Sequence, residues 1–506
     1  MSLQQVYLFL LAGAVILLVS VAVARLAHRV GLPVLLAFLA VGVGLGEDGL
    51  GIHFNNVALA QALGTAALAV ILVEGGLSTE VSLIRPVLVP ASILATVGVL
   101  ISVAVVAVTA HVALDLSWQL SLLLGAIVSS TDAAAVFSVL RALPLPRRLT
   151  GLLEAESGIN DAPSVILVVA LSTTTLHPTS VVHLLGDLGY ELIAGALFGL
   201  AVGWAGVWLL RRLSLVTSGL HSIAMVATGV MGFAAAGIAH ASGFLAAYVA
   251  GLVLGNAGLP HRRATRSVAE GLGWIAQISL FVMLGLLATP HELRASLLPA
   301  LVIGIVLLLV ARPLAVLLCL TPFRVPLREQ VFLSLAGLRG AVPIVLATIP
   351  VVARVPGSRQ LLNLVVCLVV IFILVQAPAL PPLARRLRLV PTSVGRELRA
   401  EFAPLDVIDA ELIELTVDPG SRLHGVEIFE LRLPEPCAVT LVVREGRAFV
   451  PQPTTRLTTG DQLLVVATTA QREAVERRLR AVARAGRLAA WYGETGDPDG
   501  PAAINR

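Results

Sequence analysis

The sequence contains no lysine, so its fixed positive charge comes entirely from arginine, a bias we attribute to genome composition. Charged residues make up only 13% of the 506 positions, whereas 57% are hydrophobic and the mean hydropathy is +0.93. A soluble domain has about 25% charged residues. The composition therefore excludes an ordinary soluble protein and favours a polytopic membrane protein. The net charge of +4 suggests no nucleic-acid partner.

Cysteine and enzyme motifs are also scarce. The three cysteines, Cys319, Cys367 and Cys437, are isolated, and the first two lie in apolar runs. This spacing predicts neither a disulfide framework nor a metal site. HExxH, GxSxG, Walker and CxxC patterns are all missing, so we expect no enzymatic activity and no catalytic cofactor.

Long apolar runs dominate the first 388 residues. A run of about 17–25 such residues is long enough to cross a bilayer. The N-terminal run is too long for a signal peptide and is taken as the first span. The runs predict about thirteen transmembrane helices, at 6–25, 31–46, 57–77, 87–113, 118–142, 150–175, 183–211, 219–239, 241–258, 267–288, 296–320, 328–352 and 360–384.

Arginines alternate between the predicted loops, with a mild exception at Arg354 and Arg359. Arginine-rich loops face the cytoplasm. The alternation places the N-terminus outside and the C-terminus in the cytoplasm, as in a multi-pass protein of the bacterial inner membrane.

After residue 390 the composition becomes that of a soluble α+β domain. We expect an all-α membrane domain (1–388), a linker (389–404), a cytoplasmic regulatory domain (405–485) and a disordered tail (486–506). Within the soluble part the pattern predicts strands at 412–418, 437–446, 447–453 and 462–469, a short helix at 425–431 and a helix at 471–484.

Several charged residues lie inside the predicted spans, most densely in the stretch 154-EAESGINDAPS-164. A charge at membrane depth costs at least ~2.5–3.5 kcal/mol and usually faces a bundle interior or a water-filled cavity. The candidates are Glu74, Asp132, Glu154, Glu156, Asp161, Arg312 and Arg339.

The spacing of these residues favours an ion site. Glu156 and Asp161 are five residues apart, about 140° on a helix, so one can face a transport path while the other pairs elsewhere. Ser157 shares a face with Asp161 and adds a hydroxyl, an oxygen ligand suited to an alkali cation. The sequences 129-SSTD-132 and 337-GLRGAVP-343 predict breaks in the fifth and twelfth spans. These spans are seven apart, as inverted repeats with broken helices require.

Other interpretations stay open for some residues. Glu154 fits an interfacial charge, Arg312 a structural counter-ion, and Glu74 a helix-end charge. A cation channel gated by the soluble domain is an alternative function, although no TVGYG-like filter occurs. A proton-coupled carrier of organic solutes and a membrane enzyme are less consistent with the small polar set.

Three of these motifs together resemble the sodium/proton-exchanger branch of the monovalent cation–proton antiporters. They are 156-ESGIND-161, 131-TD-132 and the Gly-x-Arg-Gly segment 337-GLRGAVP-343, and the resemblance covers about residues 5–385. The soluble part resembles the C-terminal subdomain of the regulator-of-potassium-conductance unit, through 419–435 and 456–467. Such fusions look like bacterial potassium/proton antiporters.

The resemblance implies roles for individual residues. Asp161 would bind cation and proton in turn, and the cation would sit at Asp161, Ser157 and Thr131. Arg339 would neutralise helix ends where two broken helices cross. It also implies a homodimer with an elevator-like core, and these further site residues: Asp132, Glu156 paired with Arg312, Asn160, and less securely Glu74.

A mechanism follows from the buried carboxylate. Burial favours the neutral, protonated form, so a proton and a cation can compete for one site. Asn160 stands where electrogenic relatives carry Asp, which predicts electroneutral exchange of one cation for one proton. Oxygen ligands suit K⁺ and Na⁺ alike, and the regulatory domain favours K⁺. That domain is expected to bind a nucleotide such as cyclic di-AMP through Arg422, His424, Arg444 and Arg447.

Overall fold

The computed structural model describes residues 2–30, 33–132, 145–173, 180–213, 218–260, 262–288, 290–389, 400–405 and 410–496. The chain divides into two compact units, Met1–Leu389 and Val390–Arg506. Each unit has its own helices or strands and is described by itself.

The first unit is helical, and its helices overlap all thirteen predicted apolar runs. By length and composition, eight described helices can cross a membrane, or nine if the bent pair α12 and α13 forms one span. The number of crossings stays a prediction. The helices are α1 (Leu3–Val30), α2 (Val34–Leu45), α3 (Val57–Ser78), α4 (Val81–Leu114), α5 (Trp118–Ser129), α6 (Arg147–Thr173), α7 (Ser180–Arg212), α8 (Ser218–Ile238), α9 (Gly243–Asn256), α10 (Arg262–Leu287), α11 (His291–Phe323), α12 (Leu327–Ala336), α13 (Ala341–Val352) and α14 (Ser358–Arg386).

Helices α4 and α11 share an internal pattern that the sequence does not reveal. Each has a 3₁₀ turn near its start, at Arg85–Val87 and Arg294–Ser296, followed by a π-helical turn, at Leu94–Gly98 and Leu307–Ala311. A π-turn adds one residue to a helical turn and rotates the residues after it. In α11 the residue that follows the π-turn is Arg312.

Glycines bring two pairs of helices into backbone contact. A Cβ added to Gly76 of α3 would lie 3.0 Å from Cα of Gly251 of α9. A Cβ added to Gly42 of α2 would lie 2.8 Å from Cα of Gly285 of α10. Small residues at such positions let membrane helices approach closely.

The second unit is a five-stranded antiparallel sheet in the order β1–β2–β5–β3–β4, with one long helix. Alternate side chains of β5 are buried, as expected for a sheet with one face in the core. Val475, Leu479 and Val482 of the helix join this core. The elements are β1 (Ala400–Leu405), β2 (Ala410–Thr416), β3 (Ala438–Arg444), β4 (Arg447–Phe449), β5 (Gln462–Thr468) and α15 (Arg472–Ala485).

Three details differ from the expectations. The segment assigned to a linker contains β1, an edge strand whose Pro404 is compatible with an edge position. The helix expected at 425–431 is a single 3₁₀ turn, Ile428–Leu431. The segment expected to be disordered from residue 486 onward begins with ordered turns, in which Ala489 is buried and Glu494 pairs with Arg484 at 3.6 Å. The last residues, 497–506, lie outside the described residues.

Candidate ion-binding site

Two helix ends meet at the centre of the site. Helix α5 ends at Ser129, inside the span predicted for 118–142, and its C-cap residue Ser130 is extended. The remainder of that predicted span, 133–142, lies outside the described residues. Opposite it, the chain between α12 and α13 is non-helical, and the two helices are bent by 52°.

Backbone contacts join the two breaks. The N–H of Asp132 donates to the carbonyl of Leu338 at 3.0 Å, and the N–H of Ala341 donates to Asp132 Oδ2 at 2.9 Å. Gly340 is required because a Cβ there would collide with the Asp132 carboxylate. Asp132 therefore lies at the N-terminus of α13, where a negative charge is stabilised by the unpaired N–H groups and the helix dipole.

Arg339 plays the converse role at the end of α5. It is 1% exposed and donates from one guanidinium nitrogen to the carbonyls of Ser129 at 3.1 Å and Ser130 at 2.6 Å. These carbonyls belong to a helix C-terminus, where a cation is stabilised. Arg339 thus makes the helix-end contacts that the family resemblance implies.

Asp161 of α6 faces the break. Its side chain is 3% exposed, and its Oδ1 accepts a hydrogen bond from the Ser130 hydroxyl at 2.6 Å. Within the described residues this is the only hydrogen bond to the Asp161 carboxylate. Ser130 was missed by sequence reasoning, although it lies within the 129-SSTD-132 motif.

Thr131, Ser157 and Asn160 form a second cluster of oxygen atoms. Thr131 follows Ser130 in the chain, and Ser157 and Asn160 precede Asp161 on α6. The hydroxyls of Thr131 and Ser157 are 3.3 Å apart, and the Asn160 amide nitrogen donates to Thr131 Oγ1. Asn160 Oδ1 is buried and has no hydrogen-bond partner in the described residues. Pro163 lies inside α6 and has no N–H to donate to the carbonyl four residues earlier, that of Ile159. The cluster therefore supplies hydroxyl and carbonyl oxygens, which are hard ligands.

Glu156 pairs with Arg312. The two guanidinium nitrogens lie 2.6 and 2.8 Å from its two carboxylate oxygens, a bidentate arrangement. The side chains are 1% and 4% exposed. Gly337 leaves room for this arginine, since a Cβ there would lie 2.9 Å from Arg312 Nε.

Glu74 lies on α3 and accepts from the Ser78 hydroxyl at 3.1 Å. It also packs against α10, where a Cβ at Gly273 would lie 3.3 Å from Glu74 Cγ. Its participation in ion binding stays a prediction.

The four residues expected to bind a nucleotide in the second unit are differently engaged. Arg444 donates two hydrogen bonds of 2.8 Å to the Asp461 carboxylate. Its Cζ atom lies over the Phe449 ring, 5.6 Å from the ring centroid. His424 Nδ1 accepts from the N–H of Thr459 at 3.2 Å. Arg447 is exposed and pairs in register with Arg444, and the backbone N–H of Arg422 bonds to Ala483. Arg444 is thus a structural residue rather than a free phosphate ligand.

A helix interrupted beside a buried carboxylate, as between α12 and α13, is typical of ion-coupled secondary transporters. The chain belongs to the sodium/hydrogen exchanger family, whose transmembrane region matches residues 15–386. A TrkA-C domain matches residues 412–480.

Curated relatives extend over most of the chain. The K(+)/H(+) antiporter NhaP2 of Shewanella oneidensis is 36% identical over 96% of this chain and 86% of its own length. The K(+)/H(+) antiporter NhaP of Alkalimonas amylolytica is 38% identical over 88% and 78%. Among solved structures, the sodium proton antiporter MjNhaP1 of Methanocaldococcus jannaschii has the same fold, with a TM-score of 0.65, 19% identity, and coverage of 76% of this chain and 99% of that one.

Proposed function

We propose that the protein exchanges a monovalent cation, K⁺ in preference to Na⁺, for a proton across the bacterial inner membrane. The observation that carries the proposal is the buried Asp161 carboxylate, which has a single hydroxyl donor among the described residues and lies beside the end of α5 and the break between α12 and α13. Family membership supports exchange, and the names of the relatives together with the TrkA-C domain support K⁺. A Na⁺/H⁺ antiporter, the assignment of the Synechocystis relative NhaS2, is the nearest alternative.

The mechanism is competition for one carboxylate. Asp161 binds either a proton or a cation, and Ser157, Thr131 and Asn160 supply oxygen atoms to the cation. Either ligand neutralises the carboxylate, whereas the empty, charged site is held back by the cost of moving charge through a low-dielectric region. Exchange is then obligatory without a separate coupling device.

The other charges buried around Asp161 are fixed by their partners, and the buried Glu74 of α3 is taken to keep its charge during exchange. Glu156 is paired with Arg312, Asp132 lies at a helix N-terminus, and Arg339 lies at a helix C-terminus. Only Asp161 then changes its occupancy, which gives electroneutral exchange of one cation for one proton. Transport by proteoliposomes that responds to an imposed membrane voltage contradicts this stoichiometry.

The architecture is proposed to be an inverted-repeat homodimer in the inner membrane, with the N-terminus outside and an elevator-like core. The repeated order of 3₁₀ turn and π-turn in α4 and α11, seven spans apart by the predicted count, supports two related halves. Each is followed by a helix that ends at the site: α5 ends at Ser129 after α4, and α12 ends at Ala336 after α11.

The second unit is proposed to be a cytoplasmic regulator that dimerises and binds a nucleotide such as cyclic di-AMP. Arg422, His424 and Arg447 remain candidate ligands. Calorimetry on the full-length protein with cyclic di-AMP, ATP and NADH tests binding. Transport by a chain truncated after residue 395 tests regulation, and unchanged rate, pH profile and cation dependence without nucleotide binding contradict the regulatory role.

The exchange itself is tested with purified protein in proteoliposomes that contain a pH-sensitive dye. A gradient of K⁺ is expected to drive proton movement at zero voltage, with smaller responses to Na⁺, Li⁺ and Rb⁺. Cation flux without proton flux, and in proportion to voltage, identifies the alternative of a ligand-gated channel. An equal or larger response to Na⁺ reverses the assignment of the substrate but retains antiport.

A further inference from the structure

A groove of about 780 Å³ runs along the outer surface of α7. One end carries Arg211 and Arg212, and the remainder is lined mainly by apolar side chains, including Leu200, Trp204, Trp208 and Val253. Trp204 and Trp208 are exposed, so the groove opens on the outer surface of an apolar helix. None of the residues that bind or surround Asp161 lines it.

The two arginines at the end of the groove keep guanidinium N–H donors that the described residues do not use. One nitrogen of Arg211 donates to the carbonyl of Ala257 at 2.8 Å, and the Arg212 guanidinium lies 4.3 Å over the Trp208 ring. Both side chains are exposed, and neither forms an ion pair in the described part of the chain. A guanidinium has five N–H donors in a fork that fits phosphate oxygens, so most of these donors remain available.

The apolar part has the length of one membrane leaflet. Leu200, Trp204, Val207, Trp208 and Arg211 recur on one face of α7 at helical spacing. From Leu200 to Arg211 the helix rises about 16 Å, roughly half of a ~30 Å hydrocarbon core. Arg211 and Arg212 end the apolar helix Gly186–Arg212, which places them at headgroup level, where tryptophans are also enriched.

We propose that this groove binds an anionic phospholipid, with its phosphate at Arg211 and Arg212 and one acyl chain along Trp204 and Leu200. Charge complementarity selects an anionic headgroup, because a zwitterionic headgroup carries no net charge to balance two arginines. The apolar length selects a lipid over a free phosphate, which would leave the groove beyond Trp208 unused. Basic pockets between membrane helices bind anionic headgroups in this way.

The test uses the full-length protein in phosphatidylcholine vesicles that contain acyl-brominated phosphatidylglycerol or acyl-brominated phosphatidylcholine. Bromine on the chain quenches tryptophans that it contacts, and Trp204→Phe with Trp208→Phe identifies the groove's share of the signal. Phosphatidylglycerol is expected to quench at a lower mole fraction than phosphatidylcholine. Arg211→Gln with Arg212→Gln should raise the required mole fraction about fivefold for each arginine lost.

The matched control is Arg385→Gln with Arg386→Gln, a pair of exposed arginines at the end of α14 that does not line the groove. It should leave the lipid preference unchanged. Charge-keeping Arg211→Lys with Arg212→Lys should retain the preference, and this variant also serves if the glutamine variant does not fold. Equal quenching by both lipids, a control as affected as the test pair, or loss of the preference in the lysine variant overturns the proposal. Displacement of the lipid by soluble glycerol phosphate overturns it too, in favour of a small-anion site.

Discussion

Two buried aspartates in this chain have opposite surroundings. Asp161 in the membrane unit is 3% exposed and, from the part of the chain that the structure describes, accepts one hydrogen bond, from the Ser130 hydroxyl. Asp461 in the soluble unit is fully buried and accepts four, two from Arg444 and two from Thr458, one of them from its backbone N–H.

The difference separates a carboxylate that can change its ligand from one that cannot. Burial opposes ionisation of Asp461, but the hydrogen bonds from Arg444 and Thr458 outweigh it and lower the pKa of Asp461 below 3.8. Its negative charge is therefore fixed at physiological pH. Asp161 has no arginine in direct contact among the described residues, because Arg312 is bound to Glu156 and Arg339 to backbone carbonyls. Sparse donors leave room for a proton or a cation.

Removing the charge of Asp161 should give the largest functional effect. Asp161→Asn is nearly isosteric and eliminates the group proposed to bind proton and cation in turn, so exchange should fall to the level of empty liposomes. Proton flux in proteoliposomes measures this, and size-exclusion chromatography checks that the variant folds. A folded Asp161→Asn protein with normal exchange contradicts the assignment.

Arg312→Ala should give the largest loss of stability. It leaves Glu156 buried and unpaired, and breaking such a pair costs about 3–5 kcal/mol. The expected result is aggregation or a strongly lowered midpoint of thermal unfolding in detergent. The double variant Arg312→Ala with Glu156→Gln should recover most of the stability, and no recovery speaks against a role as a paired charge.

Asp461→Asn should destabilise the soluble unit while the membrane unit keeps its exchange activity. Charged hydrogen bonds are lost, at about 1–3 kcal/mol, and hydrogen exchange of β5 amides in the full-length protein should quicken accordingly. A lowered pKa means that the carboxylate contributes its stability fully above pH 3.8 and loses it as pH falls through the folded value. The acid-induced loss of protection should therefore shrink in Asp461→Asn, and an unchanged acid response contradicts this account.

Variants that remove one hydrogen-bond donor from each aspartate should have the smallest effects, and they sharpen the comparison between Asp161 and Asp461. Ser130→Ala removes the donor to Asp161 found among the described residues, worth about 1 kcal/mol. The half-saturating cation concentration should therefore change about fivefold, or the pH profile of exchange should shift by about 0.7 pH unit. Thr458→Ala is the matched control, since it removes one donor of four from Asp461. It should leave transport unchanged, and an equal effect of both variants removes the distinction between the two aspartates.

Part of this arrangement follows from the sequence alone. Uniformly apolar runs locate the helices. The spacing within the motif 156-ESGIND-161 predicts that Glu156 and Asp161 lie on different faces of one helix. The Glu156–Arg312 contact was implied by the family resemblance, and the structure contains it. The small residues of 129-SSTD-132 indicate the break.

Contacts between distant segments do not follow. The two π-turns lie in runs of apolar residues with no local signal, and yet one of them directly precedes Arg312. The bond from Ser130 to Asp161 depends on how α5 meets α6. Asp461 reads as a turn residue beside Gly460, and only the fold brings Arg444 to it. Strand β1 resembles a linker because it contains Pro404, which is tolerated within a sheet mainly at an edge strand.

The glycine contacts of α3 with α9, and of α2 with α10, limit how the membrane unit can move. Main-chain atoms fit together so tightly at Gly76 and Gly251, and at Gly42 and Gly285, that neither pair of helices can slide without separating first. We therefore expect the two helices of each pair to move together as one rigid body. We expect helices to move relative to one another where side chains, rather than main-chain atoms, form the contact. One such contact lies between Tyr248 of α9 and Gly158 of α6, two residues from Glu156.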